Sequence, residues 1–306
     1  MAEQKFNDMG LGTKVSSSQR GLNKDGSFNV KKINVPFEER INFYHVLVTM
    51  PWTKFFIFIL SGFIFVNIIF ASVYVWIGME HLTGVDGKTD FEKFMEAFFF
   101  SSQTLTTLGY GRMAPTGIAA SSIAAVESTL GLLSFALATG LLYGRFSRPV
   151  AKIKYSEHAV IAPYRDINGF MFRVLNPRDN QLIEIEIALT LSLKRNDSKL
   201  RDFYSLEAER TKINFLPLTW TVVHPIGSTS PLFGINEKEL LEKDAEIIVL
   251  IKAFDETFSQ TVYSRSSYKA SEIKWGEKFT YIVRQENGET TVDVGKIDET
   301  EKAELN

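Results

Sequence analysis

None of the 306 residues is cysteine, which rules out disulfide staples and thiolate metal sites and is compatible with a reducing compartment. Histidine is scarce too. The four present, His45, His81, His158 and His224, lie in separate segments without metal-ligand spacing, so structural roles account for them better than a metal centre. Charge of either sign is not in excess, and a formal net charge of −2 excludes a nucleic-acid partner recruited by bulk charge. No glycine-rich phosphate loop follows a strand-like run. Nothing in the chain gathers the side chains of an enzyme site, and no cofactor is expected.

What is abundant is apolar sequence, unevenly spread. Residues 55–79 are almost uninterrupted apolar and aromatic, with Asn67 the main polar exception, and exceed the roughly 20 residues that cross a bilayer. A second run, 118–143, is also long enough but richer in Ala, Gly and Ser, and it contains Glu127. Two buried helices of a soluble protein are the competing account, disfavoured because such helices are usually shorter. A polar stretch of about 50 residues before the first run argues against a cleavable signal. Lys31, Lys32, Arg40 and Lys54 precede the first run, and Arg145, Arg148, Lys152 and Lys154 follow the second. The positive-inside bias therefore predicts two spans with both termini cytoplasmic.

Between the runs lies Thr107-Leu108-Gly109-Tyr110-Gly111. In a soluble protein a Gly-Tyr-Gly triplet is most often a turn. Here it follows a segment, 90–106, that begins polar, passes through Phe98-Phe99-Phe100 and ends in Ser and Thr, the pattern of a short re-entrant helix. Non-helical backbone at membrane depth is tolerated only beside protein or a water-filled cavity, which implies an oligomer around a pore. Four such strips could offer carbonyls in place of the hydration shell of a potassium ion.

Residues 1–35 lack apolar periodicity and read as a disordered N-terminal tail. Within 36–53, Phe37, Ile41, Tyr44 and Val48 recur at helical spacing, predicting an amphipathic helix on the membrane surface or, alternatively, packed on the C-terminal domain. The pore module extends over 54–148. From 149 to 296 the pattern changes to short strand-like runs (169–175, 182–193, 213–223, 246–254 and 279–284), with a short helix over 236–243, predicting an all-β immunoglobulin-like sandwich. Residues 297–306 read as a C-terminal tail. In 182–193, Glu184, Glu186, Thr190 and Ser192 alternate with apolar residues, predicting one polar face.

This order of elements resembles the inward-rectifier potassium channels, especially their bacterial branch. The stretch 44–52 (YHVLVTMPW) looks like the family's slide helix, 100–111 (FSSQTLTTLGYG) like its pore helix and selectivity filter, and 145–149 (RFSRP) like the exit of its inner helix. His224, Ser230 to Gly234, Asp255 to Thr257 and Arg265 to Tyr268 resemble its cytoplasmic domain. The resemblance implies a homotetramer in the plasma membrane, the bacterial inner membrane, passing K+ along carbonyls of Thr107, Leu108, Gly109 and Tyr110, with Gly111 at the outer end and Tyr110 braced by neighbouring aromatics. It implies a constriction at Tyr143, and anionic lipid headgroups as partners of Arg145, Arg148, Lys152 and Lys154, although positive-inside bias alone also explains these charges. Gly131 and Gly140 are candidate hinges or close-packing contacts.

Departures from the family pattern limit this transfer. Phe135 stands where strong rectifiers carry a cavity-facing acid, so weak rectification is expected. Glu184 matches an acid lining the cytoplasmic pore, or is a solvated strand charge; Lys252 and Asp255 lie near the constriction there. Gln103 and Arg112 remove negative charge around the filter, and Glu127 is expected to compensate by pairing with Arg112 or Gln103. A membrane-tethered β-sandwich binding module and a poorly selective cation channel are the competing functions.

Overall fold

The computed structural model describes residues 5–6, 20–31, 33–36, 42–147, 151–195, 200–216, 218–286 and 288–306. The chain divides into two compact units, Asn34–Arg148 and the combination of Met1–Ile33 with Pro149–Asn306.

Among the described residues, four helices build the first unit: α1 Phe43–Thr49, α2 Trp52–Ile77, α3 Asp90–Leu105 and α4 Gly117–Phe146. The side chain of Asn42 caps α1 by accepting from the His45 amide at 3.0 Å. The predicted face of this helix is only partly realised. Residues 37–41 lie outside the described residues, Tyr44 is exposed, and the buried pair is Leu47 and Val48. Helices α2 and α4 are long and apolar, yet only 11% of the most apolar stretch of each is buried. A core helix of a soluble protein would be mostly covered, so these surfaces match lipid-facing spans. Helix α3 starts at a reciprocal capping box. Thr89 accepts from the Glu92 amide, and the Glu92 carboxylate accepts from the amides of Thr89 and Lys88 at 2.9 and 2.8 Å. It buries Ala97 and Phe100 against Ala71 and Tyr74 of α2.

The second unit is a two-layer β-sandwich. Its strands, with a two-residue pair from the first unit included in the numbering, are β1 Lys5–Phe6, β2 Leu82–Thr83, β3 Ala114–Pro115, β4 Lys154–Tyr155, β5 Ala159–Tyr164, β6 Ile167–Leu175, β7 Leu182–Lys194, β8 Arg201–Leu206, β9 Lys212–Phe215, β10 Thr219–Pro225, β11 Glu246–Asp255, β12 Gln260–Lys269, β13 Ile273–Trp275, β14 Glu277–Phe279, β15 Val283–Glu286, β16 Glu289–Val292 and β17 Thr300–Lys302. One sheet runs β1-β8-β7-β11-β12 with β9 alongside β7, and the other β10-β6-β5-β13 with β4 on β6. Phe170, Phe172 and Ile161 from the second sheet meet Leu189, Leu191, Ile247, Val249 and Ile251 from the first in a continuous core. A helix, α5 Glu237–Glu242, is capped by Asn236 with Glu239 completing the box.

Several expectations require correction. The single run over 213–223 is two strands in different sheets, β9 on β7 and β10 on β6; Pro217 lies between them and has no amide to donate to a ladder. The run over 279–284 likewise splits into the ends of β14 and β15. Thr190 and Ser192 do not form an exposed polar face. Both are buried, and Ser192 takes the Arg201 guanidinium on its hydroxyl at 2.7 Å.

Nor are the described residues of the two expected tails all free. The backbone of Lys5–Phe6 pairs with β8, Leu22 is 1% exposed, and the amides of Gly21 and Leu22 donate to the Glu246 carboxylate at 3.0 and 3.2 Å. Arg20 binds Ser267 and Glu272, which holds the Glu272 carboxyl below its ordinary range despite the opposing effect of burial. Polar composition concealed this docking because it rests on ion pairs to Glu272, backbone bonds to Glu246 and one buried leucine rather than on a periodic apolar face. At the other end, β17 pairs with β14, Ile297 is fully buried, and Asn306 exchanges hydrogen bonds with Asn168 at 2.9 and 3.0 Å.

Candidate functional site

Where α3 ends, the chain is turned by a single carbonyl. That of Gln103 accepts from the amides of both Leu108 and Gly109, at 2.8 and 3.3 Å, and Thr107 donates to the carbonyl of Thr104 at 3.0 Å. Beyond this turn, every second residue is left-handed: φ is +58° at Thr107, +53° at Gly109 and +82° at Gly111. Alternating handedness brings successive carbonyls towards one side, whereas a β-strand would point them to opposite sides. Glycine adopts these angles without steric cost, while Thr107 holds its angle at a cost of roughly 1–2 kcal/mol. All five residues of the strip are exposed, Tyr110 by 73%; among the described residues of one copy, Tyr110 has no aromatic brace.

The strip is anchored on both sides. Past it, Ala114–Pro115 pairs with Leu82–Thr83, and Gly84 passes so close that a Cβ there would lie 1.9 Å from the Arg112 carbonyl. The Arg112 guanidinium reaches Asp86 at 3.1 Å and Glu96 at 3.8 Å, and Glu96 also accepts from the amides of Asp86 and Gly87. Arg112 is thus part of an exposed cluster at the start of α3 and does not pair with Glu127.

Glu127 lies on α4, fully buried. Tyr74 of α2 donates to one of its oxygens at 2.7 Å, and Ser101 of α3 is hydrogen-bonded to the other. Ser101 also meets the Asn67 amide oxygen at 2.9 Å, while the Asn67 amide nitrogen donates to the Phe63 carbonyl at 2.7 Å. Neither expected partner, Arg112 or Gln103, is used. Besides Glu127 itself, Asn67 alone in this network carried a sequence signal, as a polar residue inside an apolar run; Tyr74 and Ser101 had none.

The two inner-helix glycines differ. A Cβ on Gly131 would lie 1.8 Å from the Leu105 carbonyl, whereas one on Gly140 meets nothing within 4 Å. Gly131 is therefore a close-packing contact with the end of α3, and of the two only Gly140 has the open surroundings a hinge needs. Gly131→Ala is expected to push the strip's support away at a cost on the order of 3 kcal/mol; a melting temperature and rubidium flux equal to those of the unaltered protein would refute this. Phe135 and Tyr143 are 72% and 75% exposed on the same helix.

Of the four basic residues assigned to headgroups, Arg145 is turned inward. The residue is 9% exposed, and its guanidinium donates to the carbonyls of Leu47 and Met50 at 2.6 and 2.7 Å and lies over the rings of Trp52 and Phe55. Arg148 lies outside the described residues. Lys152 and Lys154 are exposed, the latter donating to the Val294 carbonyl at 3.3 Å.

In the sandwich, Glu184 is exposed at φ +49°, and Lys252 is paired with Glu186 at 3.2 Å. That bond raises the Lys252 ammonium above its ordinary range and lowers the Glu186 carboxyl, with Lys212 adding to the latter. Asp255 does not line a pore. It is 1% exposed, accepts from Asn180 and from the Thr257 amide at 2.7 and 3.0 Å, and so closes the turn after β11.

Residues 57–148 match the family model described as an ion channel, and 153–306 match that of the inward rectifier potassium channel C-terminal domain. The inward rectifier potassium channel Kirbac3.1 of Paramagnetospirillum magnetotacticum is 33% identical over 285 residues, covering 92% of this chain and 95% of its own. This chain belongs to the inward-rectifier potassium channel family. Its architecture, two apolar helices in a pore module followed by an all-β domain, is that of the bacterial-type inward rectifiers, membrane channels rather than enzymes. Mammalian members are similar over as much of the chain: the G protein-activated inward rectifier potassium channel 2 of Mus musculus is 28% identical over 92% of this inward rectifier and 72% of its own length, and channel 3 of Homo sapiens 27% over 92% and 77%.

Proposed function

We propose that four copies of this chain surround one axis and conduct potassium through facing strips 107–111, with K+ bound by carbonyls of Thr107, Leu108, Gly109 and Tyr110. The observation that carries this reading is the left-handed backbone at alternate residues, Thr107, Gly109 and Gly111, placed at the end of a half-span helix between two spans. Exposure of Tyr110 fits a ring whose packing partners come from a neighbouring copy. Exposed apolar side chains on α4, Phe135 and Tyr143 among them, suit the lining of a cavity and a constriction that closes by excluding water. Purified protein in liposomes should pass rubidium, and its reversal potential under opposed potassium and sodium gradients should lie near the potassium equilibrium value. A potential near zero would favour a poorly selective channel, and absence of any flux would favour the tethered module.

Rectification is expected to be weak. Phe135 offers no charge to hold a polyamine, so internal spermine should barely reduce outward current, whereas Phe135→Asp should acquire block. Strong block of the unaltered channel would overturn the assignment. Among the described residues, Lys152 and Lys154 are the available headgroup contacts, each attracting anionic lipid by about 1 kcal/mol; Arg145 is not among them. In this reading the channel resides in the plasma membrane with both termini cytoplasmic.

A further inference from the structure

The buried network around Glu127 can be checked proton by proton. Ser101 Oγ contacts two acceptors, Asn67 Oδ1 and Glu127 Oε1, but a serine hydroxyl has one proton to donate. Exchanging the oxygen and nitrogen of Asn67 does not help, because Nδ2 donates to the Phe63 carbonyl, and an oxygen placed there would face another acceptor. Asn67 Oδ1 therefore requires the Ser101 proton. With that proton committed, Ser101 Oγ can meet Glu127 Oε1 only by accepting. The missing proton cannot sit on Oε2 either, since that oxygen takes the Tyr74 hydroxyl and a proton there would leave Oε1 facing Ser101 without a donor.

We propose that Glu127 holds a proton on Oε1, so that a directed chain runs from Glu127 through Ser101 to Asn67 and locks the three helices that carry these residues. All four side chains of the network, Asn67, Tyr74, Ser101 and Glu127, are fully buried. No cation is paired with Glu127 among the described residues, and Arg112 is committed to Asp86 and Glu96. An ionised carboxylate inside a bilayer without a countercharge is strongly disfavoured, so the neutral form agrees with the donor accounting. Glu127 then acts as a positioning residue for α3 and, through it, for the strip 107–111; it places no negative charge behind that strip.

Infrared spectroscopy on the full chain in lipid at neutral pH tests the proton directly. A protonated carboxyl has a carbonyl stretch well above the carboxylate bands; this band should be present, shift on exchange into D2O, move in Ser101→Ala and vanish in Glu127→Gln. Its absence from the unaltered protein would overturn the proposal. Glutamine reproduces the neutral acid, donating from Nε2 to Ser101 and accepting from Tyr74, so Glu127→Gln should keep rubidium flux within about threefold of the unaltered protein. Glu127→Asp, too short to reach both partners, should lose flux by on the order of tenfold. Loss of flux in a folded Glu127→Gln protein alongside retained flux in Glu127→Asp would show that a charge is needed, and would refute the neutral acid. The flux arm rests on the pore reading above, whereas the infrared arm does not: an unaltered protein that shows the band but passes no rubidium would sink the pore and leave the proton in place.

Discussion

Gly109→Ala is expected to abolish barium-sensitive rubidium flux while leaving the protein folded. The reason is handedness rather than space. Gly109 sits at φ +53° with nothing within 4 Å of where a Cβ would be, so the added methyl meets no atom of its own subunit. An L-residue nevertheless pays roughly 1–2 kcal/mol in this region. That cost is minor for folding, but the strip can relieve it by rotating one peptide, which turns a coordinating carbonyl away from the ion path. In a fourfold assembly the same rotation recurs in every subunit and removes a complete ring of oxygens. A semisynthetic channel with D-alanine at 109 separates the two causes, because the D-residue adopts positive φ freely. D-alanine should restore flux where L-alanine removes it. Equal, unimpaired flux with L-alanine would remove the strip from the conduction path, and failure of both would mean that the neighbouring subunits leave no room for a methyl group.

Much of the pore module was legible because its determinants are local. Length and hydropathy mark α2 and α4, the polar start and Phe98-Phe99-Phe100 cluster of 90–106 mark α3, and Gly109 and Gly111 mark a backbone that needs left-handed angles. Side-chain partners were not legible in the same way. Glu127 stood out as an acid in an apolar run, but its partners are 53 and 26 residues away in the chain, and a tyrosine or serine in a membrane helix carries no mark of which residue it will meet. The same holds for Arg145. A basic residue at the end of a span reads as a headgroup contact, and only the course of the chain at Leu47 to Met50 reveals carbonyls within its reach. Asp255 was misread for a related reason: proximity in sequence to a pore-lining region does not say which way a strand end points. The terminal segments failed differently, since composition reports the absence of an apolar face but not the presence of Glu246 and Glu272 as receptors for a polar strap.

Arg145→Ala should lower stability on the order of 3 kcal/mol and alter channel activity in vesicles of purely zwitterionic lipid. Two carbonyls at the end of α1, those of Leu47 and Met50, accept from the two terminal nitrogens of one guanidinium. The last carbonyls of a helix have no intrahelical donors, and α1 is too short to hold its direction without an external tie. Hydrogen bonds to a charged group are each worth about 1.5–3 kcal/mol, and the placement over Trp52 and Phe55, 4.4 and 4.5 Å from their ring centroids, adds a cation–π contribution of about 0.5–2 kcal/mol. Arg145→Lys should rescue little, because an ammonium is a point charge without the planar fork that reaches both carbonyls. A headgroup role predicts the opposite dependence: Arg145→Ala would be silent in zwitterionic vesicles and matter only once anionic lipid is added, the pattern expected instead of Lys152→Ala combined with Lys154→Ala. Comparing the two variants across a titration of anionic lipid distinguishes a latch between the inner helix and the α1–α2 corner from a sensor of the membrane surface.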